Sequence, residues 1–258
     1  MTLPLIVFFS FLVEAATGFG SMIVALTFGA LWFDVNQLLG WLVPVNMVLS
    51  AYLVMRSLNV IRWRFLATRM LPLMAIGLLG GTLIAASAAQ QTWLKPAFGL
   101  FVMAVAVWQL RQSTQAASPL PAPARIAALL GAGVIHGIFA TGGPLAVFVS
   151  ARELPEKAVF RGTLSALWLV LNALVLPRLV LEGQVNAATL ETSALMLVPL
   201  GLGIAAGEWV HHRLAEARFR VIVAVMLLIA GAVLLGKSSL PLPAQRGEGR
   251  GEGLHLSP

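Results

Sequence analysis

Apolar runs of membrane length alternate along this chain with short polar or basic stretches. They cover about residues 3–33, 37–55, 70–88, 93–110, 126–150, 163–181, 193–210 and 219–235. Runs this long and this apolar predict helices that cross a bilayer. Two of them are interrupted. Segment 1 carries Thr17-Gly18-Phe19-Gly20 near its middle, and segment 5 carries Thr141-Gly142-Gly143-Pro144. Clustered glycine, or glycine with proline, breaks a helix. A break at membrane depth frees amide and carbonyl groups that hydrocarbon cannot satisfy. It must therefore be buried in protein or line a wet cavity.

The two breaks sit 124 residues apart, and they are not the only matches. Asn46 matches Asn172 at 126, and Pro72 and Gly80 match Pro199 and Gly207 at 127. Matches in order at a nearly constant offset point to an internal duplication. The expected domains are a first repeat at 1–110, a linker at 111–124, a second repeat at 125–236 and a disordered, low-complexity tail at 237–258. Paired breaks in two halves are the best sequence pointer to a transporter's binding site.

Composition supports the membrane reading. The chain has 258 residues, 59% hydrophobic and 10% charged, with mean hydropathy +0.91. A soluble domain is nearer a quarter charged. The formal charge of +7 would suggest nucleic acid on a soluble protein. Here the basic residues lie in loops and at helix ends, where they set orientation. With no Cys, and four His grouped only in the adjacent pair His211-His212, which cannot share one helical face, neither a disulfide nor a metal centre is expected.

Loop charges favour inverted halves. The loop after segment 1 has no Lys or Arg, while that after segment 5 has Arg152, Lys157 and Arg161. The loop after segment 2 has Arg56, Arg62, Arg64 and Arg69, while that after segment 6 has Arg178. If segments 1 and 5 are re-entrant, each half crosses three times and the halves are inverted. The loops on one side then carry twelve basic residues and those on the other carry two. The positive-inside rule prefers that arrangement. The fold class expected is an all-α polytopic membrane protein with two inverted repeats of about four helical segments each, segments 1 and 5 being broken or re-entrant.

These residues resemble the sulfite exporter TauE/SafE family of membrane permeases. The resemblance rests on the two glycine-rich breaks, on Arg161-Gly162-Thr163-Leu164-Ser165 and on the helix from Pro199 to Gly207. It implies a bacterial inner-membrane protein that moves small sulfur-containing or organic anions such as sulfite, sulfonates or sulfoacetate. Family members often carry three glycines together in the first break, whereas here Phe19 separates Gly18 from Gly20.

Several residues are candidates for the site. If each break starts a half-helix, the amides of Phe19, Gly20 and Ser21 and of Gly142, Gly143 and Leu145 could point into a shared centre. With the hydroxyls of Thr17, Ser21 and Thr141 they could hold an anion without a buried Arg. The bland reading is close helix packing on glycine. Asn46 and Asn172 either donate to the anion or bond one helix to another. Thr163 and Ser165 either line the site or bond back to their own helix. Glu14, one turn before the first break, is a candidate proton carrier, or else pairs structurally with His136 before the second. Glu208 reads as interfacial, and Trp32, Trp41, Trp93 and Trp168 read as interface anchors.

The function expected is a secondary transporter for small anions. An anion channel sharing the same breaks, with no coupling residue, is the alternative. An enzyme is not expected, because no nucleophile–base pair sits at matched depths. No cofactor and no metal are expected. The partners expected are a small anion and the lipid bilayer, not nucleic acid, with a homodimer left open.

Overall fold

The structure is a computed structural model describing residues 2–87, 94–111, 120–154, 156–213 and parts of 225–236. Most of the expected linker, most of segment 8, Trp93 and the tail lie outside the described residues. Segment 1 forms α1 (Thr2–Thr17) and α2 (Ser21–Gly29), and segment 2 forms α3 (Val35–Ser57). Segment 3 is a short α4 (Trp63–Phe65), a π-helical turn (Leu66–Met70) and α5 (Leu71–Ser87). Segment 4 is α6 (Leu94–Arg111), and segment 5 is α7 (Ala122–Phe139) with α8 (Gly143–Glu153). Segment 6 is α9 (Lys157–Leu181), and segment 7 is α10 (Ala187–Leu195) with α11 (Leu197–Arg213).

The described chain is thus all helical, and five of its helical stretches are long and apolar enough to cross a bilayer: Val35–Ser57, Trp63–Ala86, Ala122–Phe139, Lys157–Leu181 and Ala187–Val210. Their outer faces are apolar too. Leu83 is 71% exposed, Val198 70% and Leu181 88%. Contiguous exposed leucine and valine on a helix bundle is a lipid-facing surface. Local capping fixes several starts. Asp34 accepts from Asn36 N–H at 2.9 Å ahead of α3. Asn186 and Thr189 form a reciprocal capping box ahead of α10.

Three boundaries differ from the sequence expectation. Segment 3 is already helical at Trp63, so Arg64 and Arg69 ride on its first turns. Segment 7 begins at Ala187 and is interrupted at Met196. α9 begins at Lys157, which moves Arg161 from a loop onto a helix. In segments 3 and 6 the reason is shared: apolar neighbours such as Leu66, Met70 and Val159 have a packed face to bury, so the helix extends through the charges. In segment 7 the start is set by the capping box of Asn186 and Thr189. Arg178 also changes meaning. It lies within α9 and its Nη1 donates to Gly137 O of α7 at 2.6 Å, a helix–helix tie rather than a loop charge.

Both breaks reverse the chain. Ser21 N–H reaches back to the side chain of Glu14. Gly142 lies beside Ala132, where a Cβ would collide with the Ala132 carbonyl, and the Leu145 side chain comes 3.4 Å from a Cβ placed on Gly131. Residues ten and fourteen positions apart meet this way only if α8 folds back along α7. Segments 1 and 5 are therefore helical hairpins.

Around them the packing has an exchange symmetry. The dominant helix–helix contacts are α5 on α7, α1 on α11 and α3 on α9. Swapping the halves turns the first contact into the second and returns the third to itself. Glycines make the flanking contacts close. Gly77 and Gly81 of α5 lie against the α7 backbone at Leu130 and Val134. Gly203 and Gly207 of α11 lie against the α1 backbone at Phe8 and Leu12. The offset between these pairs is 126. The packing counterpart of Gly207 is thus Gly81, not Gly80, whose Cβ position is open.

Candidate substrate cavity

The two hairpin tips face one another across the α3–α9 pair and enclose a cavity of about 50 Å³. Its wall is mostly apolar and includes Val13, Met22, Ile23, Val24, Pro144 and Leu227. Polar groups enter at few points: Glu14, Thr17, Asn46, His136, Thr141 and Asn172, with Phe19, Gly20 and Gly143 from the breaks. On this measure one water needs about 10–15 Å³, so the cavity has room for a solute of a few heavy atoms.

The polar residues form a chain between the halves. Asn46 Nδ2 donates to Glu14 Oε2 at 3.1 Å and contacts Ser21 Oγ at 2.9 Å. Asn172 Nδ2 donates to Asn46 Oδ1 at 2.7 Å. The asparagines thus bond α3 to α9, and both also line the cavity. Ser21 N–H also donates to Glu14 Oε2, at 3.2 Å, and the Ser21 hydroxyl bonds the same oxygen. On the other side Gly142 N–H donates to His136 Nδ1 at 3.4 Å. The His136 ring stacks on Trp168, with centroids 6.0 Å apart and planes at 12°.

All of these groups are buried, yet Glu14 Oε1, His136 Nε2, Thr141 Oγ1 and Asn172 Oδ1 have no hydrogen-bond partner within the protein. Buried polar atoms are ordinarily paired, so four orphans around one cavity mark a place built for a partner from outside the chain.

Several sequence expectations need correction. Gly18 does not face the cavity. It holds φ +86°, and a Cβ there would sit 3.1 Å from Arg161 Cα. Ser21 and Gly142 are at the breaks but not on the cavity wall, and their amides are used by Glu14 and His136. Thr17 is on the wall, but its hydroxyl lies 2.8 Å from both Val13 O and Phe19 O and is used locally. Thr163 is elsewhere: its hydroxyl accepts from Arg62 N–H at 3.1 Å and anchors the stretch before α4. Ser165 bonds back to Arg161 O at 2.9 Å. Glu14 and His136 share the cavity without pairing, because the two asparagines stand between them. Glu208 forms an ion pair with Arg161 at 3.8 Å. Trp168 is not an interface anchor. It is 6% exposed and walls the cavity. Sequence could not place it, since an aromatic on an apolar helix reads the same whether it faces lipid, headgroups or core.

Hairpin-broken helices around a small orphan-lined cavity, inside an apolar bundle, define a membrane transporter. The chain belongs to the sulfite exporter TauE/SafE family, whose profile matches residues 3–234. It is also similar to the protein named "Probable inner membrane transporter protein TsaS" of Comamonas testosteroni. The two are 29% identical over 175 residues, covering 67% of this chain and 72% of that protein. No solved structure matched.

Proposed function

We propose that this protein is a secondary transporter of a bacterial inner membrane that binds a small sulfur-containing or organic anion between its two hairpin breaks and carries it by alternating access. The observation that supports this most is the set of unpartnered buried atoms on Thr141, His136, Asn172 and Glu14 around one cavity. The start of α8 adds amide groups with no intrahelical acceptor, which favour negative charge by about 0.3–1 kcal/mol, and up to about 2 when partly buried. The family's name supports the anion class, and the relative's name supports an inner-membrane transporter. Among the described residues no Lys or Arg lines the cavity, so recognition rests on neutral donors and a helix terminus.

Thermal-shift measurements on purified protein test this directly, with sulfite, methanesulfonate, small carboxylates and sulfate as ligands. At least one anion should raise the melting temperature, and Thr141→Val should reduce that shift. Stabilisation by cations or neutral solutes alone would remove the anion assignment. Saturable counterflow in proteoliposomes separates a carrier from a channel, because only a carrier exchanges labelled for unlabelled substrate in the absence of a gradient.

A further inference from the structure

The two half-helix termini at the cavity are not equivalent. We propose that the first is filled by the chain's own Glu14, and that the transported anion binds at the second together with one proton taken up by Glu14. This rests on the reading of the cavity as an anion site and specifies how that site is divided.

At the first break the donors are already used. Ser21 opens α2, and its N–H and hydroxyl both go to Glu14 Oε2, where Asn46 Nδ2 also donates. Three donors on one carboxylate oxygen is how a helix terminus holds an anion. The anion here is tethered.

At the second break nothing replaces it. The positions 124 residues after Glu14 and Ser21 are Ile138 and Leu145, both without a polar side chain. His136 Nδ1 accepts from Gly142 N–H, so in the neutral ring Nε2 carries the hydrogen. The His136 ring lies within reach of the Asn172 side chain, but in ordinary hydrogen-bond geometry neither its N–H nor the Thr141 hydroxyl is paired, and each residue is nearly fully buried, at 2% and 3% exposure. Together with the first amides of α8, from Gly143 and Leu145, they form a donor set for the oxygens of an anion.

Charge balance then requires a proton. An anion beside ionised Glu14 in so small a cavity would bind on the order of a hundredfold more weakly than beside the neutral acid. The charged or titratable groups facing Glu14 do not offset this. Arg161 of α9 acts on Glu14 but is paired with Glu208 of α11, and His136 of α7 accepts from Gly142 at Nδ1 as the neutral ring. The neighbours from α2 and α3 are Ser21 and Asn46, both uncharged. Oε1, which has no partner, is free to take the proton. One monoanion and one proton then move together with no net charge, and a dianion is disfavoured.

The experiment measures methanesulfonate binding and uptake by the full chain in proteoliposomes. Methanesulfonate stays singly charged throughout, so any pH dependence belongs to the protein. Affinity should rise as pH falls, by up to about tenfold per pH unit for one linked proton, and uptake should not respond to an imposed membrane potential. Glu14→Gln should bind with no pH slope. His136→Gln should bind more weakly but keep the slope, which separates the two titratable groups. Anion binding by the unmodified protein with no pH slope would overturn the proposal and leave the anion site standing. So would a slope lost in His136→Gln and kept in Glu14→Gln. Failure to bind any anion at any pH would remove both.

Discussion

At the scale of single residues, the asparagine pair shows how a weak interaction can still be decisive. Hydrogen bonds between helices in bilayers average about 0.6 kcal/mol and reach about 1.7. The 2.7 Å bond from Asn172 to Asn46 therefore contributes little to holding the bundle together. Its larger effect is to fix Asn46, which holds Glu14. A double-mutant cycle of Asn46→Ala and Asn172→Ala should give a stability coupling of about 0.5–2 kcal/mol. Transport by either single variant should fall far more than that coupling explains. Equal losses in the two readouts would make the pair merely structural. Gly18 is the opposite case, a position whose left-handed backbone suits glycine alone. At φ +86° a side chain costs about 1–2 kcal/mol, and its Cβ would press on Arg161. Gly18→Ala should destabilise the protein by about 1–3 kcal/mol in a detergent melt. A loss below about 0.5 kcal/mol would mean that the tip relaxes freely. The sequence announced both residues, as a repeated asparagine and a helix-breaking glycine. It did not announce that Gly18 faces Arg161 rather than the cavity, because that depends on which way the hairpin tip turns.

At the scale of elements, each hairpin is gripped from outside by a helix carrying two glycines one turn apart. Gly77 and Gly81 bring α5 onto α7, and Gly203 and Gly207 bring α11 onto α1. The gripped helices carry the breaks, so their spacing sets the position of the cavity wall. Gly81→Leu must push α5 off the Val134 carbonyl and should cost about 1–3 kcal/mol, with loss of transport. Gly80→Leu meets open space and should change stability by no more than about 0.5 kcal/mol. Similar melting temperatures for the two variants would refute the grip. Adjacent glycines in one sequence thus have unlike roles. Periodicity alone could not separate them, because a uniformly apolar helix does not reveal which face meets protein and which meets lipid.

At the scale of the whole molecule, the packing of α1 on α11 in place of α7 on α5 pairs corresponding elements of the two halves. Segments 1 and 5 form hairpins, and if each returns the chain to the side it entered, an odd number of crossings per half is expected to invert the second half relative to the first. Because the chain has no Cys, single cysteines introduced at Asp34 and Lys157 report the sidedness of each loop. An impermeant thiol reagent applied to intact cells should label one position and not the other. Labelling of both from the same side would make the repeats parallel.

What the residues alone determined is whatever depends on local composition. The length and apolarity of the runs made the chain a membrane protein, the glycines fixed where two helices break, and the matched positions disclosed the duplication. These follow from hydrocarbon excluding charge and unpaired peptide groups, a constraint each stretch meets by itself. Tertiary structure alone decided how the two breaks differ. Whether a half-helix terminus is empty or already occupied depends on which side chain folds back onto it. Only the packed bundle brings Glu14 to Ser21 and Asn46 while leaving the Thr141 hydroxyl and the His136 Nε2 unpaired.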